Sequence, residues 1–199
     1  MGEIDTSLFL VFNASPTSPA WVPALARALS AELPKAVFAG MLGAAFFMNA
    51  RQRQDLLAVL ITLLVAWIGA RLVQHAIPLE RPAALGIGTA WLHRAPSAGF
   101  PSTHASVAFA FAVGVGLRTR VLPIAGTAMA LACLVAWSRL GLGLHFPSQV
   151  LAGAVLGGAS AWGVHTAQQA LRRYTRRISL PAHRGRQLNP RSATTPGRS

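Results

Sequence analysis

The sequence predicts an all-α membrane protein, a polytopic helix bundle of about five transmembrane helices with an interfacial helix near its N-terminus. Three observations predict this fold class. Hydrophobic residues make up 53% of the 199 residues, the mean hydropathy is positive, and apolar runs recur near the roughly 20 residues that a helix needs to cross a bilayer. A chain this apolar has too few polar residues to cover a soluble domain, which argues against an ordinary soluble protein.

Five apolar runs are predicted to span the membrane, and one stretch before them is predicted to lie on its surface. The spans are approximately residues 33–50, 56–77, 102–117, 121–138 and 147–171. Pro34 is expected to start the first span, because proline is tolerated in the first turn of a helix. Residues 20–32 have apolar side chains at helical spacing together with Arg27 and Glu32, which favours an interfacial helix.

Basic residues indicate which connections face the cytoplasm. Arginines follow the first, third and fifth spans, at residues 51–53, 118–120 and 172–177. By the positive-inside rule these connections are cytoplasmic, so the loops at 78–101 and 139–146 face the other side. Eight of the eighteen Lys and Arg residues come after Leu171; this distribution is typical of a topology signal, and no nucleic-acid partner is expected.

The chain therefore divides into three parts. Residues 1–32 form an N-terminal segment with the interfacial helix, and residues 33–178 form the transmembrane domain. Residues 179–199 are rich in Pro, Arg, Gly, Ser and Thr and have almost no aliphatic side chain. Such a segment cannot bury enough surface to order itself, so a disordered basic tail is predicted.

Residues suited to phosphate stand in three clusters at the predicted outer ends of the spans. Arg81 follows the second span, Ser102 and Thr103 begin the third, and Arg139 ends the fourth. Two guanidinium groups offer planar forks for phosphate oxygens, and hydroxyl and backbone N–H groups at a helix start suit an anion. Because the topology puts all three clusters on one side, a phosphate site is predicted there.

Two histidines belong to the same clusters, His104 in the second and His145 in the third. A neutral imidazole can attack phosphorus while a protonated imidazole donates a proton to the departing oxygen. Glu80 is the one carboxylate near these residues in the sequence, too few for a magnesium site, so neither a metal nor another cofactor is expected.

The spacing of these residues resembles the signature of the type 2 phosphatidic acid phosphatase superfamily. That signature has three parts: Lys, six residues and Arg-Pro; Pro-Ser-Gly-His; and Ser-Arg, five residues, His, three residues and Asp. The corresponding residues here are Gln74 with Arg81-Pro82, then Pro101-Ser102-Thr103-His104, then Ser138-Arg139 with His145 and Gln149. The runs at 8–16 and 81–105 are further similar to bacitracin-resistance-type undecaprenyl-diphosphatases of bacteria, and the resemblance covers about residues 7–171.

The resemblance implies a mechanism and a location. His145 would take the phosphoryl group as a phosphohistidine, and His104 would protonate the leaving group and then activate water. Arg81, Arg139 and Ser102 would hold the phosphate oxygens. The reaction implied is hydrolysis of undecaprenyl diphosphate at the periplasmic face of a bacterial inner membrane, with the C-terminus in the cytoplasm and the lipid phosphate and the membrane as partners.

Two departures from the signature affect the phosphate-binding residues. Gln74 replaces the lysine and removes one positive charge from a site that depends on charge. Arg71 lies one turn earlier on the same helical face, and it either supplies the missing charge or serves as a packing or snorkelling arginine. Thr103 replaces a glycine and is expected to be a minor change.

The third departure, Gln149 for aspartate, affects the nucleophile. An aspartate there would accept the Nδ1 proton of His145 and stabilise the imidazolium formed in attack. Glutamine accepts through its carbonyl without charge, or presents its amide and favours the wrong tautomer. The chain is therefore expected to be a slow enzyme, or one in which Glu80 or another group assists His145, and Gln149→Asp is expected to speed hydrolysis.

Two alternatives stay open from the sequence. The same site would serve a phosphatase for phosphatidylglycerophosphate or phosphatidate, or a transferase that passes the phosphoryl group to a hydroxyl. Alternatively, Gln74 and Gln149 would mark a catalytically weak or inactive homologue that binds lipid phosphate. The sequence does not determine the oligomeric state.

Overall fold

A computed structural model describes residues 2–92 and 98–179, and all regular elements within them are helical. The prediction of an all-α membrane bundle is confirmed. Residues 180–199, most of the predicted disordered tail, lie outside the described residues. The helices are α1 (Glu3–Phe12), α2 (Trp21–Ala45), α3 (Ala50–Ala76), α4 (Thr103–Gly116), α5 (Leu122–Gly141) and α6 (Pro147–Ser179), with a 3₁₀ turn at Pro82–Leu85.

The predicted interfacial helix and the first predicted span are one helix, α2. Pro34 lies inside α2, so the expectation that it starts a helix is wrong. A proline inside a helix costs about 3 kcal/mol because it removes a hydrogen bond and crowds the preceding turn. Packing of α2 against α5 offsets this cost, with Ala26 and Ser30 buried before the proline. The proposed division at residues 32–33 falls within this helix.

Three helices in the described part of the chain are long and apolar enough to cross a membrane: α3, α5 and residues 147–175 of α6. Helix α4 is apolar but has only 14 residues. In α2 the apolar residues are interrupted by Glu32 and Lys35, which form an exposed ion pair at 3.0 Å. By length and composition alone, three of the five predicted spans therefore qualify.

Helix α4 lies at the centre of the bundle and packs against α3, α5 and most extensively α6. Gly153 and Gly157 of α6 make this contact close, as their spacing predicts for packed membrane helices. A Cβ at Gly153 would lie 2.6 Å from the Ser102 carbonyl oxygen, and one at Gly157 would overlap that of Ser106. The approach places Gln149 beside the start of α4, where the Ser102 N–H donates to the Gln149 carbonyl at 2.9 Å.

Helix α1 lies against the start of α6. Asp5 accepts hydrogen bonds from the Ser148 N–H at 2.9 Å and from the Ser148 hydroxyl at 2.6 Å. A carboxylate there compensates the unpaired N–H groups and the positive end of the α6 dipole. The Phe9 ring also packs edge-on against Phe146, with 5.4 Å between centroids. The N-terminal segment thus contacts the loop that carries His145.

Candidate active site

The three clusters meet at one end of the bundle, between the end of α3, the start of α4 and the α5–α6 loop. Gln74, which opens the first part of the signature, contacts Thr103 and so joins the end of α3 to the second cluster. Arg81 contacts His145, joining the first to the third. Residues distant in sequence therefore share one site, as the predicted topology requires.

The imidazole of His145 is held in one orientation and one tautomer. It is 1% exposed, and its Nδ1 lies 2.9 Å from the Gly99 carbonyl oxygen and 3.1 Å from Gln149 Oε1. A carbonyl can only accept, so Nδ1 carries the proton. The Nε2 lone pair then faces Arg81 Nη1 at 3.3 Å, and a guanidinium can only donate. Nε2 is therefore the nitrogen available for attack on an electrophile.

The Gln149 amide is oriented by its other contacts. Its Nε2 donates to the Glu80 carbonyl at 2.7 Å, and its Oε1 accepts from the Phe146 N–H at 3.3 Å. These two bonds turn the carbonyl end of the amide toward His145. The wrong-tautomer alternative raised by the sequence is thus not the arrangement found. Gly99 permits the arrangement, because a Cβ there would lie 2.8 Å from both Gln149 side-chain heteroatoms.

The surroundings of His145 favour its neutral form. Burial holds the pKa of His145 well below its ordinary value, the positive charges of Arg81 and Arg139 lower it further, and His104 adds a smaller effect of the same sign. The hydrogen bond with Gln149 acts in the opposite direction. The result is an unprotonated imidazole at neutral pH, the form that a nucleophile must have.

The two arginines that are predicted to hold phosphate donate hydrogen bonds to nearby carbonyl and hydroxyl groups. Arg81 is half-buried and donates to the Ala98 carbonyl at 3.3 Å and the Leu144 carbonyl at 3.4 Å. Arg139 is fully buried at the end of α5, and its Nη1 donates to the Ser30 hydroxyl of α2. Both guanidinium groups lie close enough to lower the pKa of His145 by their charge.

The start of α4 is held by Gln74. Its Nε2 donates to the Pro101 carbonyl and to the Thr103 hydroxyl, each at 2.9 Å, so both amide hydrogens are used. Arg71 in turn donates to Gln74 Oε1 at 3.2 Å. The contacts seen for Gln74 and Arg71 therefore position α4, and their phosphate-binding roles stay predictions.

The Ser102 hydroxyl is buried at the start of α4. The side chain of this residue is fully buried at the N-cap of α4 and makes no capping bond. Within the described residues, its hydroxyl has no hydrogen-bond partner. A buried hydroxyl without a hydrogen-bond partner costs free energy unless a ligand supplies that partner. An anion at the α4 N-terminus would do so.

His104 lies in the first turn of α4 at the polar end of an apolar cavity. The cavity has a volume of about 360 Å³ and is enclosed by α2, α3, α4 and α5, with Phe38, Trp67 and Val107 in its wall. A second cavity of about 730 Å³ continues toward the opposite end of the bundle. The two share the side chains of Val37, Met41, Phe111 and Leu131. Two neighbouring cavities thus lie between these helices, and the first of them, which is mostly apolar, reaches His104.

Among the described residues, no group of three or more His, Cys, Asp or Glu side chains is arranged to hold a metal ion. The expectation that the reaction needs neither a metal nor another cofactor stays a prediction.

Three groups that contact the site or its loops were not predicted: the Gly99 carbonyl, Ser30, and Asn13, whose amide contacts the carbonyls of Thr89 and Gly141. The Gly99 carbonyl acts through the backbone, and no side-chain motif indicates it. Ser30 is one small polar residue among the apolar residues of α2, a common pattern in helices. Only Asn13 had a signal, since it lies in the opening run at 8–16 that is similar to known family members.

The chain is similar to known proteins in sequence and in structure. The model of the PAP2 superfamily matches residues 79–173. The Escherichia coli (strain K12) protein named "Putative undecaprenyl-diphosphatase YbjG" is 33% identical over 157 residues, which are 78% of this chain and 78% of that protein.

Two crystal structures share the fold. LpxE from Aquifex aeolicus has a TM-score of 0.68 at 18% identity, covering 83% of this chain and 96% of LpxE. The Bacillus subtilis protein described as the first transmembrane PAP2 type phosphatidylglycerolphosphate phosphatase has a TM-score of 0.64 at 20% identity, with 86% of each chain covered.

Proposed function

This chain belongs to the PAP2 superfamily of membrane lipid phosphatases, and we propose that it hydrolyses undecaprenyl diphosphate to undecaprenyl phosphate and inorganic phosphate. The proposal of this substrate rests on the 33% identity to the Escherichia coli protein, which carries the name of that activity. The two structural relatives are too distant in sequence to indicate a substrate.

The observation that carries the proposal is the geometry of His145. Its Nδ1–H is held by the Gly99 carbonyl and Gln149, which leaves the Nε2 lone pair for attack. In the first step, Nε2 bonds to the terminal phosphorus of the diphosphate while the bond from that phosphorus to the bridging oxygen breaks. The positive imidazole that forms is stabilised by its two Nδ1 acceptors.

His104 donates a proton in the first step and accepts one in the second. In its protonated form it donates to the bridging oxygen, which leaves on undecaprenyl phosphate. In the second step, neutral His104 takes a proton from a water molecule whose oxygen attacks the phosphohistidine. The phosphorus–nitrogen bond breaks, inorganic phosphate leaves, and both histidines return to their starting forms.

The phosphate would be held by charge and by the start of α4. Arg81 would turn from His145 Nε2 to a phosphate oxygen, and Arg139 would stabilise the charge that develops in the transition state. The Ser102 hydroxyl and the N–H groups of Thr103 and the next residue would complete the site. These roles follow the family signature and agree with the burial of Ser102 and Arg139.

The apolar cavity beside His104 supports a lipid substrate. A polyprenyl chain bound between α2, α4 and α5 would place its diphosphate beside His104, at the polar end of the cavity. Apart from Thr103 and His104 the side chains lining this cavity are apolar, so the chain would gain roughly 25 cal/mol for each Å² of apolar surface that it removes from water. The same cavity could hold part of an acyl chain, so it does not choose between lipid classes.

The site would face the periplasm of a bacterial inner membrane. The arginines at 51–53 in the first turn of α3, at 118–120 between α4 and α5, and at 172–177 near the end of α6 lie at the helix ends opposite those that surround His145, and the positive-inside rule makes that end cytoplasmic. The C-terminus would then be cytoplasmic as well.

The test is release of phosphate from purified protein in detergent. Undecaprenyl diphosphate, phosphatidate and phosphatidylglycerophosphate are compared for wild type and His145→Ala, with His75→Ala as a matched histidine control on the exposed surface of α3. We expect wild type and His75→Ala to prefer undecaprenyl diphosphate, and His145→Ala to lose at least about 10³-fold in rate, as expected for a missing nucleophile.

Other outcomes separate the alternatives. A preference for one of the glycerolipids keeps the phosphatase and replaces the substrate. Transfer of phosphate to an added alcohol in place of water identifies a transferase. Phosphate release by wild type no faster than by His145→Ala would identify a non-catalytic binding protein and remove the enzyme proposal.

A further inference from the structure

The side chain of Asn13, just after α1, joins two loops of the site from outside the region matched by the superfamily model. Its Nδ2 lies 3.0 Å from the Thr89 carbonyl, 3.2 Å from that of Gly141 and 3.4 Å from that of Leu140. Its Oδ1 accepts from the Thr89 N–H at 2.7 Å. Because both ends of the amide are engaged, its orientation is determined.

The two loops that Asn13 joins carry the residues that meet in the site. Thr89 belongs to the outer loop that follows Arg81, and Gly141 ends the helix from which the His145 loop departs. Backbone bonds reinforce the junction: the Trp91 N–H donates to the Leu142 carbonyl at 3.1 Å, and the Ala14 N–H donates to the Gly141 carbonyl at 3.0 Å. The Trp91 indole also donates to the Ala14 carbonyl at 2.7 Å.

Two glycines leave the space that this junction needs. Gly88 and Gly143 have φ angles of +70° and +73°, which side chains rarely adopt. A Cβ at Gly88 would lie 2.6 Å from Asn13 Oδ1 and 2.6 Å from the Phe9 ring, and one at Gly143 would overlap the Thr89 carbonyl. The loops are thus shaped closely around the Asn13 amide.

We propose that Asn13 is a positioning residue, which holds the loop after Arg81 against the loop that carries His145 and so sets the 3.3 Å contact between those two side chains. Its catalytic consequence rests on the proposed function. Asn13 bridges backbone groups of the two loops and acts through them. Three carbonyls and one N–H lose a partner when its amide is removed, and the loops then separate.

Separation of the loops has a consequence for protonation as well as for rate. The charged and titratable groups that act on His145 are Arg81, Arg139 and His104, and all three lower its pKa, as burial does. Moving Arg81 away and admitting water both raise that pKa toward its ordinary value. The acid limb of the pH–rate profile therefore moves to higher pH, an effect that lost stability alone would not produce.

The experiment compares Asn13→Ala with Asn49→Ala. Asn49 is a matched control, because its side chain caps α3 in a capping box at the opposite end of the bundle. With undecaprenyl diphosphate we expect Asn13→Ala to lose about 10- to 100-fold in kcat, the size of effect that a misplacement of about 1 Å produces. Its acid limb moves to higher pH, while Asn49→Ala keeps the wild-type kcat and profile.

A second measurement does not depend on catalysis. Amide hydrogen exchange is measured for residues 87–92, which include the Thr89 and Trp91 N–H groups of the junction. Exchange there rises in Asn13→Ala and matches wild type in Asn49→Ala. Gly88→Ala disturbs the contact with the Asn13 amide from the other loop. The double variant with Asn13→Ala should therefore lose less activity than the two single losses combined.

The results separate this inference from the proposed function. If wild type releases no phosphate, the proposed function fails, and exchange at 87–92 still decides whether Asn13 joins the loops. If wild type is active and Asn13→Ala keeps the kcat, pH profile and exchange of Asn49→Ala, the positioning role is wrong. A raised exchange with unchanged kcat and pH profile also overturns it, since the junction would then be structural alone.

Discussion

The end of the helix bundle that holds His145, called the outer end, and the opposite end, called the inner end, have similar side chains in different surroundings. At the outer end, Arg139 and Gln149 are fully buried and lie around His145. At the inner end, Arg118 and Gln168 are only half-buried and contact each other at 3.1 Å. The inner end also has a carboxylate in contact, since Asp55 pairs with an arginine of α6 at 3.3 Å.

The difference concerns how positive charge is held. At the inner end a carboxylate and solvent compensate the arginines. At the outer end the guanidinium groups of Arg139 and Arg81 donate to the Ser30 hydroxyl and to the carbonyls of Ala98 and Leu144, which are neutral groups. Buried charge is costly, and a bound phosphate would reduce that cost. Arginine charge that is buried and close to His145 therefore suits a site for an anion.

Removing the charge of Arg139 while keeping its contact with Ser30 should cause the largest loss of activity. Arg139→Gln keeps a donor for Ser30 and removes the charge. We expect phosphate release to fall by about 10³-fold or more, in the range that a transition-state arginine supplies. Arg118→Gln at the inner end is the matched control and should stay close to wild type. Equal losses in the two variants would mean that the ends do not differ in this way.

Replacing the amide of Gln149 should cause the next largest loss of activity. The sequence alone favours a faster Gln149→Asp enzyme, and the contacts reverse that expectation. A carboxylate cannot donate to the Glu80 carbonyl, now 2.7 Å from Gln149 Nε2, and aspartate is one methylene shorter. We expect both Gln149→Asp and Gln149→Glu to lose about 10- to 100-fold in kcat, as misplacement of a nucleophile does.

The control for that pair is Gln168→Glu at the inner end, which should leave kcat unchanged. A Gln149→Asp enzyme faster than wild type would show that charge on the orienting group matters more than its bond to Glu80.

The pH dependence should reveal the lowered pKa of His145. In the proposed mechanism the neutral imidazole attacks the phosphorus, so kcat/KM should fall only as the pH drops through a pKa well below the ordinary histidine value of about 6.5. Activity should therefore persist into mildly acid solution. The profile of kcat/KM against pH checks this, and an acid limb at or above the ordinary value would contradict the neutral, buried state of His145.

Breaking the ion pair between Asp55 and Arg172 at the inner end should have the smallest effect of these changes. The Asp55 and Arg172 side chains are 28% and 44% exposed, and pairs in such surroundings contribute about 0.2–1 kcal/mol. We expect Asp55→Asn to lower the free energy of unfolding by no more than that and to leave phosphate release unchanged. Thermal unfolding in detergent measures the first quantity, and a clear loss of kcat would show that the two ends communicate.

Part of the site could be predicted because it is local. His145 and Gln149 are four residues apart across the start of α6, a spacing that places side chains on one helical face, and they do contact each other at 3.1 Å. The positions of Arg81, Ser102 and His104 at span ends follow from where apolar runs stop. These features depend on short separations along the chain, which the order of residues determines directly.

Other parts required the packed fold. The Gly99 carbonyl that shares the Nδ1 proton of His145 is 46 residues away from it, and the Ser30 hydroxyl that holds Arg139 is 109 residues away. Pro34 predicted a helix start, and packing against α5 made α2 continuous. In each case a contact between elements outweighed a local preference or used a backbone group that no residue type identifies.

By itself, the sequence determined that the protein is a helical membrane protein, which residues stand at the ends of its helices, and its resemblance to the superfamily. Apolar length, helix periodicity and motif spacing are properties of neighbouring residues, so the order of amino acids carries them. Only the tertiary structure decided which end of the Gln149 amide faces His145, which groups hold the arginines, and how Asn13 joins the two loops. Those choices depend on which donors and acceptors meet when the helices pack.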